Sequence, residues 1–360
     1  MTELPREIGI AFDMHGCPNR CRHCWLALLP NASLSEKTVR EITQWFRSFA
    51  RPGEASPFFR KVWVSTNTRE PDFSDEYRRL YDLESELSDG KPWRYELLSI
   101  WRLARDPQYA LWAKSIGPDT CQISFFGGEN TTDWFCRRKG AYRDCLTATE
   151  RLLESGMKPR WQLFANTKGI NELDELLCLA DQMRIPQRVE ALGACFNIFV
   201  YVWGVCGAAL GIEHLRPTAE DMTKIPRRLL ELSVKHFGQD VLWRSEAELC
   251  SEILSRNEWY GYGMEPGHMG WFEIAGNMDV YFNAYGVESC WCLGNLARES
   301  LSTILGRFEE DNTPGRRLIA SVPAQRLVRD FGNLQGRQVH SSADDLLRLY
   351  LFRHLALGGR

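Results

Sequence analysis

Three cysteines in eight residues constrain this chain more than any other feature. Cys17, Cys21 and Cys24 are spaced Cys-x3-Cys-x2-Cys, directly after the apolar run EIGIAFDM at 7–14. That run reads as a buried strand, and residues 33–49 read as a helix capped by Ser35, with Val39, Ile42, Trp45, Phe46 and Phe49 on its apolar face. The thiols therefore belong to a strand-to-helix loop. Gly16 and Pro18 suit a tight turn around an inorganic core. Three thiolates can bind three irons of a cubane and leave the fourth iron open to a small molecule. Structural zinc normally takes four protein ligands, and only His15 and His23 stand nearby as substitutes. Plain buried thiols are the third reading.

The rest of the chain repeats the strand–loop–helix pattern. Strands are expected at 61–65, 95–101, 120–126 and 160–165, with at least one more within 191–203. Helices are expected at 74–87, 107–116, 141–154 and 172–183, with Gly117 and Gly156 as stops. Such alternation predicts a parallel sheet wound by right-handed crossovers, with ligand chemistry at the C-terminal strand ends. The cysteine loop falls at that end. Beyond about residue 215 the alternation stops. Helices are expected at 217–237, 301–309 and 343–357, and a hairpin at 270–285 around Gly276–Asn277.

The loop Cys17-Pro-Asn-Arg-Cys21-Arg-His-Cys24 resembles the signature of the radical S-adenosylmethionine (SAM) superfamily, in which an aromatic residue or His precedes the third cysteine, as His23 does here. The element order supports the resemblance over 7 to about 205. It implies an α/β fold: a partial (β/α)6 barrel over 1–215, with a smaller α+β extension over 216–360. It also implies a [4Fe–4S] cluster on Cys17, Cys21 and Cys24, with SAM chelating the open iron. SAM cleavage would give a 5′-deoxyadenosyl radical that abstracts hydrogen from substrate. A flavodoxin- or ferredoxin-type protein would supply the electron.

In this family a Gly-Gly-Glu turn after the second strand often holds the SAM amino group. Gly127-Gly128-Glu129 matches in letters, but it follows a later strand. Strand order instead puts Ser65-Thr66-Asn67 at that position, where side-chain oxygens offer acceptors to an ammonium. Ser124 to Gly127, Thr132-Asp133 and 138–142 resemble the fourth-strand region of SPASM-type members. Ser124 and Arg138 are then candidates for the SAM ribose and carboxylate, Glu129 stays an alternative amino-group ligand, and a solvated charge is the plain reading of Arg138. The polar loop from Asn67 to Glu70 serves either substrate or simple connection.

Residues 270–304 resemble a SPASM or "twitch" module that has lost metal ligands. Asn283 stands where a hairpin cysteine is expected, and only Cys290 and Cys292 remain, as Cys-Trp-Cys. Either can return a hydrogen to a substrate radical or simply pack. The missing thiolates predict one cubane per chain. The expected substrate is a small sugar-, cyclitol- or amino-acid-like molecule; the alternative is a ribosomally made peptide. A net charge of −3 gives no bulk attraction to nucleic acid or anionic membrane. No signal peptide or transmembrane run is expected, and with 12 cysteines read as reduced, the sequence points to the cytoplasm. The thirteen tryptophans read as core packing or as the lining of a substrate cavity.

Overall fold

The computed structural model describes residues 4–67, 69–92, 96–204, 206–256, 270–282 and 286–357. Five strands carry the N-terminal half: β1 (Glu7–Phe12), β2 (Lys61–Ser65), β3 (Thr120–Phe125), β4 (Lys158–Phe164) and β5 (Asn197–Tyr201). β1 pairs parallel with β2, and β3, β4 and β5 pair parallel in that order. Helices pack between successive strands, so this is the expected α/β winding, with all five C-terminal ends on one side.

One expected strand is different. Residues 96–99 form no strand, and a helix, Ile100–Arg105, takes the second half of the strand read at 95–101; Tyr95 lies outside the described residues. Ser99 explains the switch, because its side chain accepts from the Arg102 backbone N–H and starts a helix. The segment before it still reaches β3: the Glu96 carbonyl accepts from Gln122 N–H at 2.8 Å.

The expected helices form close to their predicted bounds. Glu36–Ser48 starts at Ser35, whose hydroxyl accepts from Thr38 N–H, but Trp45 turns to solvent and the buried face is Val39, Ile42, Thr43 and Phe46. Pro226 splits the helix expected at 217–237 into Ala219–Met222 and Arg227–Phe237. Helices Glu129–Cys136, Glu246–Ser255, Pro314–Ser321 and Ala324–Phe331 add to those expected.

The C-terminal hairpin forms as Gly270–Ile274 antiparallel to Asp279–Phe282. Its first strand also pairs parallel with β1, Ile8 opposite Gly270 through Phe12 opposite Ile274. N- and C-terminal segments thus share one five-stranded sheet. One core joins that sheet to helices Glu36–Ser48, Tyr77–Leu87 and Leu301–Glu309, and a second lies under β3–β5. Asn283 lies outside the described residues. Among those described, no helix is long and apolar enough to cross a membrane.

Candidate functional site

The cysteine loop leaves the C-terminal end of β1 and crosses to the ends of β3 and β4. Two backbone bonds hold it there: Arg20 N–H to the Cys136 carbonyl at 3.3 Å and Arg22 N–H to Phe135 at 2.8 Å. His23 is the anchor between them. Its ring sits against Phe126 at 4.6 Å and Phe164 at 4.8 Å, the residues at the ends of β3 and β4. Burial holds its imidazole down to a pKa of about 4, so it is neutral and packs as an aromatic. That is a packing reason for an aromatic or His before the third cysteine.

Arg69 fastens the other side. Its guanidinium forks onto Asp13, Nε to Oδ1 at 3.0 Å and Nη2 to Oδ2 at 2.7 Å, and also donates to the carbonyls of Leu29 and Pro30 at 3.1 and 3.0 Å. One buried side chain therefore ties the start of the loop to its end. Gly16, at φ +74°, lies under this clamp: a Cβ there would meet Asn31 Oδ1 at 2.2 Å and Arg69 Nη2 at 2.8 Å.

The three thiols lie inside one another's fields. Burial first, then the Glu70 charge and the neighbouring thiols of Cys21 and Cys24, push the Cys17 thiol far up. Cys24 is pushed up to about 11 by burial and by Cys21. Cys21 is raised first by its hydrogen bond to the Cys136 thiol and then by burial. Loading a metal here must displace protons, as for thiolate sites generally. Among the described residues no three His, Cys, Asp or Glu side chains stand at metal-ligand spacing. The donor set itself fits an iron–sulfur cluster: three soft ligands on one clamped loop at the strand ends, with an apolar wall behind them.

Glu70 and Cys136 join the site although sequence reasoning missed them as neighbours of the thiols. Glu70 Oε2 lies 3.9 Å from Cys17 Sγ, while Oε1 accepts from Ser99 Oγ at 2.8 Å and Trp101 N–H at 3.2 Å. The polar loop from Asn67 to Glu70 was the available signal for Glu70. Cys136 carried none beyond being one of twelve cysteines.

The candidate SAM residues occupy three places. Ser65, Thr66 and Asn67 end β2 at the mouth. There Thr66 N–H, Thr66 Oγ1 and Asn67 Nδ2 all donate to the buried Glu84 Oε1, at 2.6, 2.8 and 3.1 Å. Asn67 Oδ1 already accepts from Asp72 N–H, and Ser65 Oγ accepts from Asn67 N–H. Arg138 reaches the cysteine loop: Nε donates to Asn19 Oδ1 at 2.5 Å and Nη1 pairs with Asp144 at 2.7 Å. It is thus no free surface charge. Ser124 donates to Gln162 Oε1 at 3.2 Å on the β3–β4 face. Glu129 points outward, partly exposed and paired with Arg143 at 2.8 Å. The Gly127–Gly128 turn closes on a different carboxylate, with Gly128 N–H donating to Glu172 at 2.7 Å.

Cys290 lies within the single turn Ser289–Trp291 and Cys292 follows it, and both pack in the same apolar cluster as Cys24 and Trp25. Burial pushes Cys290 up to about 12, and Cys292 is also raised by burial. Both are protonated near neutrality. Glu288 links this turn to the barrel by accepting from Gly207 N–H at 2.5 Å, and Ala208 N–H donates to the Cys24 carbonyl at 3.2 Å.

No family model matches the sequence, and no curated protein sequence matches it. Solved structures do resemble it. Native anSMEcpe with bound AdoMet and Cp18Cys peptide aligns at 13% identity with a TM-score of 0.53, over 98% of each chain. Native anSMEcpe with bound AdoMet alone aligns at 13% and 0.52, over 98% of this chain and 99% of that one. Streptococcus suis SuiB bound to S-adenosylmethionine aligns at 14% and 0.40, over 87% and 65%. The two anSMEcpe likenesses show a shared fold along nearly the whole chain.

Proposed function

We propose that this chain is a radical SAM enzyme that modifies a peptide. The observation that carries the first part is the clamped loop bearing Cys17, Cys21 and Cys24 at the strand ends of a fold shared with an AdoMet-bound protein. When bound, a [4Fe–4S] cluster on those thiolates supplies the electron that cleaves SAM and the open iron that chelates it. The chain's own residues hold and shield that chemistry. Arg69 and His23 fix the loop at its two sides. Arg138, already bonded to Asn19 and Asp144, would receive the SAM carboxylate through its remaining guanidinium N–H groups. Ser65 and Thr66 offer hydroxyl oxygens at the end of β2, while Asn67 serves mainly to brace that turn through Glu84 and Asp72. Cys290 or Cys292, kept as protonated thiols, can return a hydrogen to substrate.

The peptide reading rests on the anSMEcpe structure, which matches over its whole length and holds a peptide. The small-molecule reading, favoured by the sequence alone, has no comparable support. We place the barrel within 1–215 and the SPASM-like region within 216–360, and an acidic flavodoxin or ferredoxin as electron donor. The test is anaerobic reconstitution with iron and sulfide, followed by reduction with dithionite and measurement of 5′-deoxyadenosine from SAM. Cys17→Ala, Cys21→Ala and Cys24→Ala should each abolish both the iron–sulfur absorption and the product. A normal cubane in Cys21→Ala would overturn the assignment. Covalent change in candidate peptides incubated with the active enzyme separates a peptide substrate from a small molecule.

A further inference from the structure

The chain carries a net negative charge, yet one face beside the cysteine loop is strongly positive. Arg20 and Arg22 come from the loop itself, Arg137 and Lys139 from the end of helix Glu129–Cys136, and Lys168 from the loop after β4. Trp134 lies at the centre. The Arg22 guanidinium stands 4.0 Å above its ring and the Lys168 ammonium 5.3 Å from it. Two cations from separate segments thus share one indole. Each contact attracts its cation to the face of the ring.

The local carboxylates do not neutralise this face. Glu129 is paired with Arg143, and Asp133, which accepts from the N–H groups of Gly140 and Tyr142, is a single charged carboxylate beside five cations. The charge of Arg138 is balanced by Asp144, so it is not counted in this excess. Among the described residues, none of Arg20, Arg22, Arg137, Lys139 and Lys168 joins an ion pair. An open groove is lined by Arg22, Trp134, Arg137 and Lys139, with Glu129 and Asp133 also on its wall. A local excess of cations over carboxylates favours an acidic partner and raises its rate of encounter.

Position selects among acidic partners. This face is bonded through its backbone to the cysteine loop, at Arg20 to Cys136 and Arg22 to Phe135, and the Cys136 thiol touches that of Cys21. A protein docked on Trp134 would have one layer of protein between its own cofactor and the cysteine thiols. A substrate must instead reach the barrel mouth.

We propose that the face formed by Arg20, Arg22, Trp134, Arg137, Lys139 and Lys168 docks the acidic one-electron carrier that reduces the cluster. This rests on the radical SAM reading. One electron leaves the reduced carrier and enters the cluster: the carrier is oxidised by one equivalent, the cluster is reduced by one, and no atom is transferred.

The experiment uses the reconstituted holoenzyme and an acidic flavodoxin as probe. The charge reversal Arg137→Glu/Lys139→Glu/Lys168→Glu changes only exposed side chains outside the SAM and cluster candidates. Arg137→Gln/Lys139→Gln/Lys168→Gln is the milder partner, in case reversal disturbs folding. Flavodoxin affinity is measured by titration calorimetry at two salt concentrations, and 5′-deoxyadenosine formation is measured with reduced flavodoxin and, separately, with dithionite. The reversal should weaken flavodoxin binding at least tenfold and flatten its salt dependence, with the neutral variant in between. Flavodoxin-driven turnover should fall in parallel while dithionite-driven turnover stays within twofold of wild type. Unchanged flavodoxin affinity in both variants overturns the docking assignment. So does loss of acidic-peptide binding with flavodoxin affinity intact, which would make this a substrate surface. Absence of dithionite-driven product in the wild type overturns the radical SAM reading itself, a failure distinct from the other two.

Discussion

Replacing Arg69 with Met should be the most damaging change outside the cysteines. The side chains of Arg69 and Asp13 are only 3% and 2% exposed. The substitution keeps much of the apolar stem and removes all four donated bonds, two to Asp13 and one each to the Leu29 and Pro30 carbonyls. Pro30 is exposed and its carbonyl can take water; Leu29 and Asp13 are buried. The main cost is the stranded carboxylate. Burial already raises the Asp13 pKa despite the guanidinium beside it, so the pair is costly to bury even when intact. Breaking a buried pair from one side costs about 3–5 kcal/mol. That is a large share of the 5–15 kcal/mol or so that holds a typical domain folded. Arg69→Lys should recover little, because an ammonium cannot make the two-pronged fork and reach both carbonyls. Asp13→Leu/Arg69→Met should recover most of the loss, since it removes the stranded charge. Urea unfolding of the protein without cluster measures the stability, and iron retained after reconstitution and gel filtration measures the loop. Two results would refute the clamp: Arg69→Met within about 1 kcal/mol of wild type, or a double variant no better than the single one.

Three further outcomes follow from the site. Glu129→Gln should leave SAM affinity within tenfold, about 1.4 kcal/mol, because Glu129 faces Arg143 and solvent; a larger loss in equilibrium binding would make it the amino-group ligand. Reconstituted protein should hold roughly four irons per chain; about eight, with the excess lost in Cys290→Ala/Cys292→Ala, would show a second cluster and favour an oxidation. His340 is buried, with its Nδ1 3.4 Å from Asp345, near Arg216 and Glu246; burial first, and then Arg216, lower its pKa. The unfolded chain therefore binds a proton that the native chain resists, so stability present above about pH 6.5 is lost as pH falls toward the native value. His340→Gln should flatten that decline by up to about 1 kcal/mol per pH unit, as read from urea midpoints between pH 7 and 5, and an unchanged slope would refute it.

What the sequence made legible was local. The apolar run at 7–14, the Ser35 cap and the glycine stops at 117 and 156 act over a few residues, and each formed as read. The segment at 95–101 shows where this stops. Its apolar letters suit a strand, but Ser99 as a cap makes a helix equally available, and only tertiary context chose between them. The parallel addition of Gly270–Ile274 to β1 was hidden for another reason: no local pattern reports a pairing between segments more than 250 residues apart.

The same division explains the candidate site. The three candidate cysteines could be read because their spacing is itself the signal: three thiols in one loop need no distant partner to be noticed. The residues that hold that loop could not. Asp13 and Arg69 lie 56 positions apart, and Arg22 and Trp134 lie 112 apart. Their letters are ordinary; a charge or an indole at such a position usually means only solvent or packing. Their meaning lies in convergence on one loop from two sides. A buried clamp on the β2 side fixes where the thiols stand, and a face of unpaired cations on the β3–β4 side lies against the backbone of the same loop. Reversing the exposed charges of that face alters long-range attraction and leaves the loop's buried contacts alone, whereas removing Arg69 disrupts those contacts and leaves the cationic face intact. The two perturbations should therefore separate cleanly: loss of iron without loss of flavodoxin affinity for Arg69→Met, and the reverse for the charge-reversed face.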